Sequence, residues 1–212
     1  MPQYSTTRLK PPASRPDRTG ISPRRSSSGF TIIELMVAIV VLGVILAFGL
    51  PNLREFLVRN QVGTITSEFA SDIARARVEA ISRNNCVTIC MSSNTANALT
   101  GGTPTCAGAG TNWQAGWIVF SNPSCSPTQD DPTTVNSTLI AVRQAGADSF
   151  TLTPASGTLR RLIFDSRGLA ALTQETFTLS YTPEAVGSPH YRTICLSTAG
   201  RVITKKGGST CP

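Results

Sequence analysis

Residues 30–50 read FTIIELMVAIVVLGVILAFGL, an unbroken apolar run whose single charge is Glu34. As a helix rising about 1.5 Å per residue, it spans the roughly 30 Å hydrocarbon core of a bilayer. Such a run is not left in water, so it commits the chain to a membrane span or to burial inside a larger body. No second stretch of this kind follows in the 212 residues.

The flanks give the run a direction. Arg8, Lys10, Arg15, Arg18, Arg24 and Arg25 precede it against Asp17 alone, so residues 1–29 carry +5 of the formal net charge of +7. A basic arm before an apolar helix stays in the cytoplasm, which places everything after Leu50 beyond the inner membrane. Positive charge held in a removable arm is a targeting feature, so the basic pI of 9.5 does not by itself argue for nucleic acid. An ordinary secretory signal shares the basic start, with Ala47-Phe48-Gly49 as a strained cleavage site, but its apolar region is about 7–15 residues long. Arg24-Arg25 lacks the apolar continuation of a twin-arginine signal.

Cys86, Cys90, Cys106, Cys125, Cys195 and Cys211 all fall on the exported side, where an even count favours disulfides. Six cysteines allow many connectivities, and sequence alone does not select among them. The favoured pairs are Cys195–Cys211, stapling the last strands to the tail, and Cys90–Cys106 across the first long loop, which leaves Cys86–Cys125. With no CxxC pair and His190 as the one histidine, no metal site or cofactor is expected. HExxH, GxSxG and phosphate-loop motifs are absent, and the chain reads as a non-enzyme.

A carboxylate near the start of a membrane helix needs a partner or a purpose. The stretch Gly29-Phe30-Thr31-Ile32-Ile33-Glu34-Leu35, between a basic leader and an apolar helix, resembles the processing site of type IV pilins and type II secretion pseudopilins. The resemblance implies that a prepilin peptidase/methyltransferase cuts between Gly29 and Phe30 and N-methylates Phe30. The leader is then lost and the helix retained, first as an anchor in inner-membrane lipid and later in the core of a filament. Glu34, fifth in the processed chain, would pair with the amino terminus of Phe30 on a neighbouring subunit, neutralising two charges that are costly in an apolar setting. Pro51 also fits the class: it removes a helical hydrogen bond, so a kink or local melt is expected at 47–51.

Beyond Pro51, Val62, Ile65, Phe69, Ile73, Ala76 and Ala80 recur at spacings of three and four, while Glu55/Arg59 and Glu79/Arg83 form i,i+4 pairs. This predicts an amphipathic helix ending near Asn84-Asn85, whose apolar stripe must be covered. β-Branched and aromatic runs at 86–91, 116–120, 138–143, 150–153, 159–165, 176–182, 191–196 and 200–205 supply a sheet, with long surface loops at 92–111 and 121–137. The fold class is therefore α+β, one long N-terminal helix on an antiparallel sheet. Its regions are a removed leader (1–29), a transmembrane and filament-core helix (30–51), an amphipathic continuation (52–85) and an exported disulfide-containing domain (86–212).

The strand at 86–91, the segment Trp113-Gln114-Ala115-Gly116-Trp117-Ile118-Val119-Phe120, Phe164-Asp165-Ser166-Arg167-Gly168 and the terminal Ile194-Cys195-Leu196-Ser197 with Gly200-Arg201-Val202 are together similar to the GspH/FimT family of minor pilins and pseudopilins. That resemblance implies a structural subunit of a type IV pilus or type II secretion pseudopilus, assembled with other pilin subunits through an inner-membrane platform. The alternative is a minor pilin that binds DNA through Arg201, Lys205 and Lys206. Strand alternation would send Arg201 and Lys205 to one face and Lys206 to the other, dividing that patch.

Overall fold

The computed structural model describes residues 29–172, 174–182 and 188–212, so the leader falls outside the described residues except for Gly29. The described chain divides between Ala47 and Phe48 into two units. A helix, α1 (Ile32–Arg83), begins in the first unit and ends in the second. Its backbone is helical through Pro51. In the first unit the apolar side chains from Phe30 onward are exposed all round, with Phe30 at 83% and Ile32 at 81%.

Among the described residues of the second unit, eight strands follow α1: β1 (Cys86–Met91), β2 (Trp117–Asn122), β3 (Leu139–Arg143), β4 (Phe150–Pro154), β5 (Arg161–Phe164), β6 (Gln174–Tyr181), β7 (Arg192–Ser197) and β8 (Val202–Lys206). They form two four-stranded antiparallel sheets, β3-β2-β1-β5 and β4-β6-β7-β8, where sequence reading had anticipated one. Val62, Ile65, Phe69, Ile73, Ala76 and Ala80 are buried against inner-face residues of both sheets, including Val87, Ile89, Val119, Phe177, Leu179 and Ile194. Phe69 packs edge-on against Trp113 (5.4 Å), Trp117 (5.2 Å) and Phe177 (4.9 Å), so one helix residue touches rings from both sheets' neighbourhoods.

Polar pairs fix the helix on the first sheet. The Trp117 indole N–H donates to Asp72 at 2.8 Å, and Arg143 lies over the Trp117 ring while pairing with Glu68 at 2.6 Å. The i,i+4 pairs Glu55–Arg59 and Glu79–Arg83 are closed at 2.8 and 2.7 Å. Trp113 lies in a 3₁₀ turn, Trp113–Ala115, and its N–H donates to the Leu159 carbonyl at 3.1 Å. Both tryptophans are core residues.

All six residues of β1 are buried, because both of its faces are covered. Val87, Ile89 and Met91 face α1, whereas Cys90 packs with Ile118 and Phe120 in a second, smaller cluster. The period of two puts Cys86, Thr88 and Cys90 on this second face. Here Cys86 is bonded to Cys125 and Cys90 to Cys106, and the Asn122 amide donates to the Thr88 hydroxyl at 3.0 Å. The two long loops are thus held over the outer face of the first sheet. Cys195–Cys211 holds the tail against the second, where Gln174 donates to the Pro212 carbonyl at 2.9 Å. These are the two pairs favoured from the sequence and the third that they leave.

Candidate processing and assembly site

The helix begins at Ile32, one residue beyond the Gly29–Phe30 peptide. Thr31-Ile32-Ile33-Glu34 has the T-x-x-E spacing of a capping box: the Glu34 N–H donates to the Thr31 hydroxyl at 3.3 Å, and the Leu35 N–H to the Thr31 carbonyl at 3.2 Å. Gly29 and Phe30 remain in irregular backbone, with open space where a Cβ on Gly29 would lie. Chain that is neither helical nor covered is what a peptidase cleft can take in extended form.

Glu34 therefore has two separable parts. Its backbone N–H is capped by the Thr31 hydroxyl, while its carboxylate is exposed on an otherwise apolar surface and has no hydrogen-bond or ion-pair partner among the described residues. A carboxylate in an apolar setting is costly and is usually functional. Among the described residues no His, Cys, Asp or Glu cluster could hold a metal ion.

The structure does not bring Arg201, Lys205 and Lys206 together. Arg201 lines a hollow with Cys195, Ile203 and Pro212 on the outer face of β7 and β8. Lys205 is turned into the tail, its ammonium donating to the Thr210 carbonyl at 2.8 Å. Lys206 lies directly opposite Arg192 in the register and shares a hollow with Arg192 and Arg59. That grouping had no signal in sequence, since Arg59 and Arg192 lie 133 positions apart.

Gly200, beside Arg201, has a packing role. At φ +69° it adopts a backbone that favours glycine, and a Cβ there would lie 2.7 Å from the Gly168 carbonyl and 2.9 Å from Arg77 of α1. A Cβ on Gly168 (φ +76°) would lie 3.1 Å from the same arginine, so the two glycine turns close on Arg77 together. The Asp165 carboxylate organises the first turn by accepting from the Leu169 and Arg167 N–H groups, each at 2.9 Å. The Leu169 N–H, with the Arg167 guanidinium, holds its pKa below the ordinary carboxylate value.

The sequence matches the family of type II transport protein GspH over residues 66–200 and the prokaryotic N-terminal methylation motif over residues 24–50. The type IV major fimbrial protein FimA of Dichelobacter nodosus is 38% identical over 40 residues, 19% of this chain and 26% of that protein. The chain thus spans about a quarter of the length of the curated relatives it matches. The crystal structure of the type IV minor pilin FimU of Pseudomonas aeruginosa superimposes with a TM-score of 0.51 at 17% identity, covering 74% of this chain and 99% of that one. At this identity the likeness is one of fold.

Proposed function

Because the chain belongs to the family of type II transport protein GspH and carries the N-terminal methylation motif, we propose that it is a non-enzymatic minor pilin or pseudopilin. A prepilin peptidase/methyltransferase cuts between Gly29 and Phe30 and methylates the new amino terminus. Helix 30–51 anchors the subunit in the inner membrane with its amino end in the cytoplasm and the disulfide-containing domain in the periplasm. An assembly platform then draws it into a type IV pilus or a type II secretion pseudopilus.

One observation carries this reading. The first unit presents a fully exposed apolar helix whose one charge, Glu34, has no partner among the described residues. A helix hydrophobic on every side is stable only when surrounded, first by lipid and then by equivalent helices. In the filament Glu34 accepts the cationic amino terminus of a neighbour's Phe30, and Pro51 gives α1 the freedom to bend between the two settings. The separation of Arg201 and Lys205 from Lys206 gives the DNA-binding alternative no comparable support.

Glu34→Ala tests the pairing. The variant is expected to insert in the membrane and be processed, but to enter filaments at a small fraction of the wild-type level, read by immunoblot of sheared or pelleted filament fractions. Incorporation equal to wild type would contradict the role of Glu34.

A further inference from the structure

The two sheets end in the edge strands β3, β5, β4 and β8, and among the described residues the first three are closed or broken. Along β4 the outward N–H of Leu152 donates to the Asn112 side-chain oxygen at 2.9 Å and that of Phe150 to the Ala147 carbonyl at 3.1 Å, while Pro154 has no N–H. On β5 the outward Ile163 carbonyl accepts from the Ala171 N–H at 2.9 Å. The β3 ladder is interrupted by a register shift between Val119 and Phe120 of β2, an irregularity that blunts an edge. The β8 edge has none of these protections. The Ser197 N–H donates to the Arg201 carbonyl at 3.0 Å and the Gly207 N–H to the Tyr191 carbonyl at 2.8 Å. Hydrogen-bonded pairs alternate along an antiparallel ladder, so in this register Ile203 and Lys205 bond to Cys195 and Thr193 of β7. The N–H and C=O groups of Val202 and Thr204 therefore point away from the sheet, and they meet no other backbone group among the described residues.

We propose that β8 receives an extended, acidic segment of another polypeptide as a fifth strand of the second sheet. Main-chain bonds to Val202 and Thr204 supply the pairing, and the charges along the edge select the strand that fits. Residues 188–212 contain Arg192, Arg201, Lys205 and Lys206 and no acid. Arg192 stands directly opposite Lys206 in the register, where like charges repel. A carboxylate beside Lys206 on an added strand offsets that repulsion. A second copy of β8 fits poorly, because antiparallel pairing centred on Thr204 sets Arg201, Lys205 and Lys206 of both copies along one seam. Nor does another strand of this chain serve: β6 is the one described strand with an acidic residue, Glu175, and it is already paired with β4 and β7. Nucleic acid phosphates accept hydrogen bonds but donate none, so they would leave the outward carbonyls of Val202 and Thr204 unmatched.

The full chain in dodecyl maltoside is titrated with a short fluorescein-labelled peptide in which glutamate alternates with valine and threonine. The comparisons are the same peptide N-methylated at every amide, the same peptide with lysine for glutamate, and a single-stranded oligonucleotide. The glutamate peptide is expected to bind about tenfold more tightly than each of the three. It should also slow hydrogen exchange at the Val202 and Thr204 amides, which are expected to exchange freely in the chain alone, and leave Ile203 and Lys205 unchanged. Thr204→Pro removes the outward N–H without touching the bonds to β7, so it should melt near the wild-type temperature and bind the peptide about tenfold more weakly. A Thr204→Pro chain that melts far lower contradicts the outward placement of that N–H and overturns the proposal. So does a wild-type chain that takes up no glutamate peptide at about 1 mM, equal binding of the N-methylated peptide, tighter binding of the oligonucleotide, or self-association that Thr204→Pro abolishes.

Discussion

Replacing Phe69 with alanine is expected to lower the unfolding free energy by about 3–5 kcal/mol, a large fraction of the roughly 5–15 kcal/mol that stabilises a typical domain. Phe69 is fully buried at the middle of the apolar stripe of α1. Its ring is the common neighbour of Trp113, Trp117 and Phe177, and Trp113 and Phe177 also pack edge-on at 5.6 Å. Truncation removes the transferred apolar area, leaves a cavity between helix and sheets, and breaks three edge-to-face contacts at once. The fluorescence of Trp113 and Trp117, the chain's two tryptophans, reports this region directly during urea unfolding. Val78→Ala, at a position 62% exposed on the same helix, is the reference and should change stability by less than about 0.5 kcal/mol. Similar shifts for the two variants would mean that the helix is not seated through Phe69.

The second large effect is expected from the disulfides, and their order is the informative part. In the chain-entropy model, stabilisation grows with the logarithm of the loop closed. Cys86–Cys125 spans 39 residues, whereas Cys90–Cys106 and Cys195–Cys211 each span 16. Replacing both Cys86 and Cys125 with alanine should therefore destabilise by about 4 kcal/mol, against about 3 kcal/mol for either of the other pairs. Urea midpoints of the three double variants check the ranking. A Cys86/Cys125 variant more stable than the other two would show that the loop it closes is ordered without it.

Much of this architecture was legible because it is written locally. The spacing of Val62, Ile65, Phe69 and Ile73 is a helical period, and the alternation of Phe177 and Leu179 with Thr176 and Thr178 is a strand period; each is visible within a dozen residues. The processing motif is also linear, as a recognition sequence read in extended form must be. What sequence did not give depends on contacts between distant segments. Eight strands were visible, yet their partition into two sheets is set by pairings such as Val87 with Phe164. The loops at 92–111 and 121–137 looked like surface, but Cys90, Ile118 and Phe120 lie buried in a cluster that also draws in Cys106 from the first loop. Gly200-Arg201, read beside a basic patch, proved to be a turn closing with Gly168 on Arg77.

The central claim is that residues 1–29 are removed and the apolar helix is kept. Intact mass spectrometry of the subunit extracted from the membranes of producing cells tests it most directly. The account predicts a chain of residues 30–212 beginning at N-methylated Phe30, with six cysteines oxidised. A mature chain that still begins at Met1, or one that begins near Leu50 after loss of the helix, would contradict it.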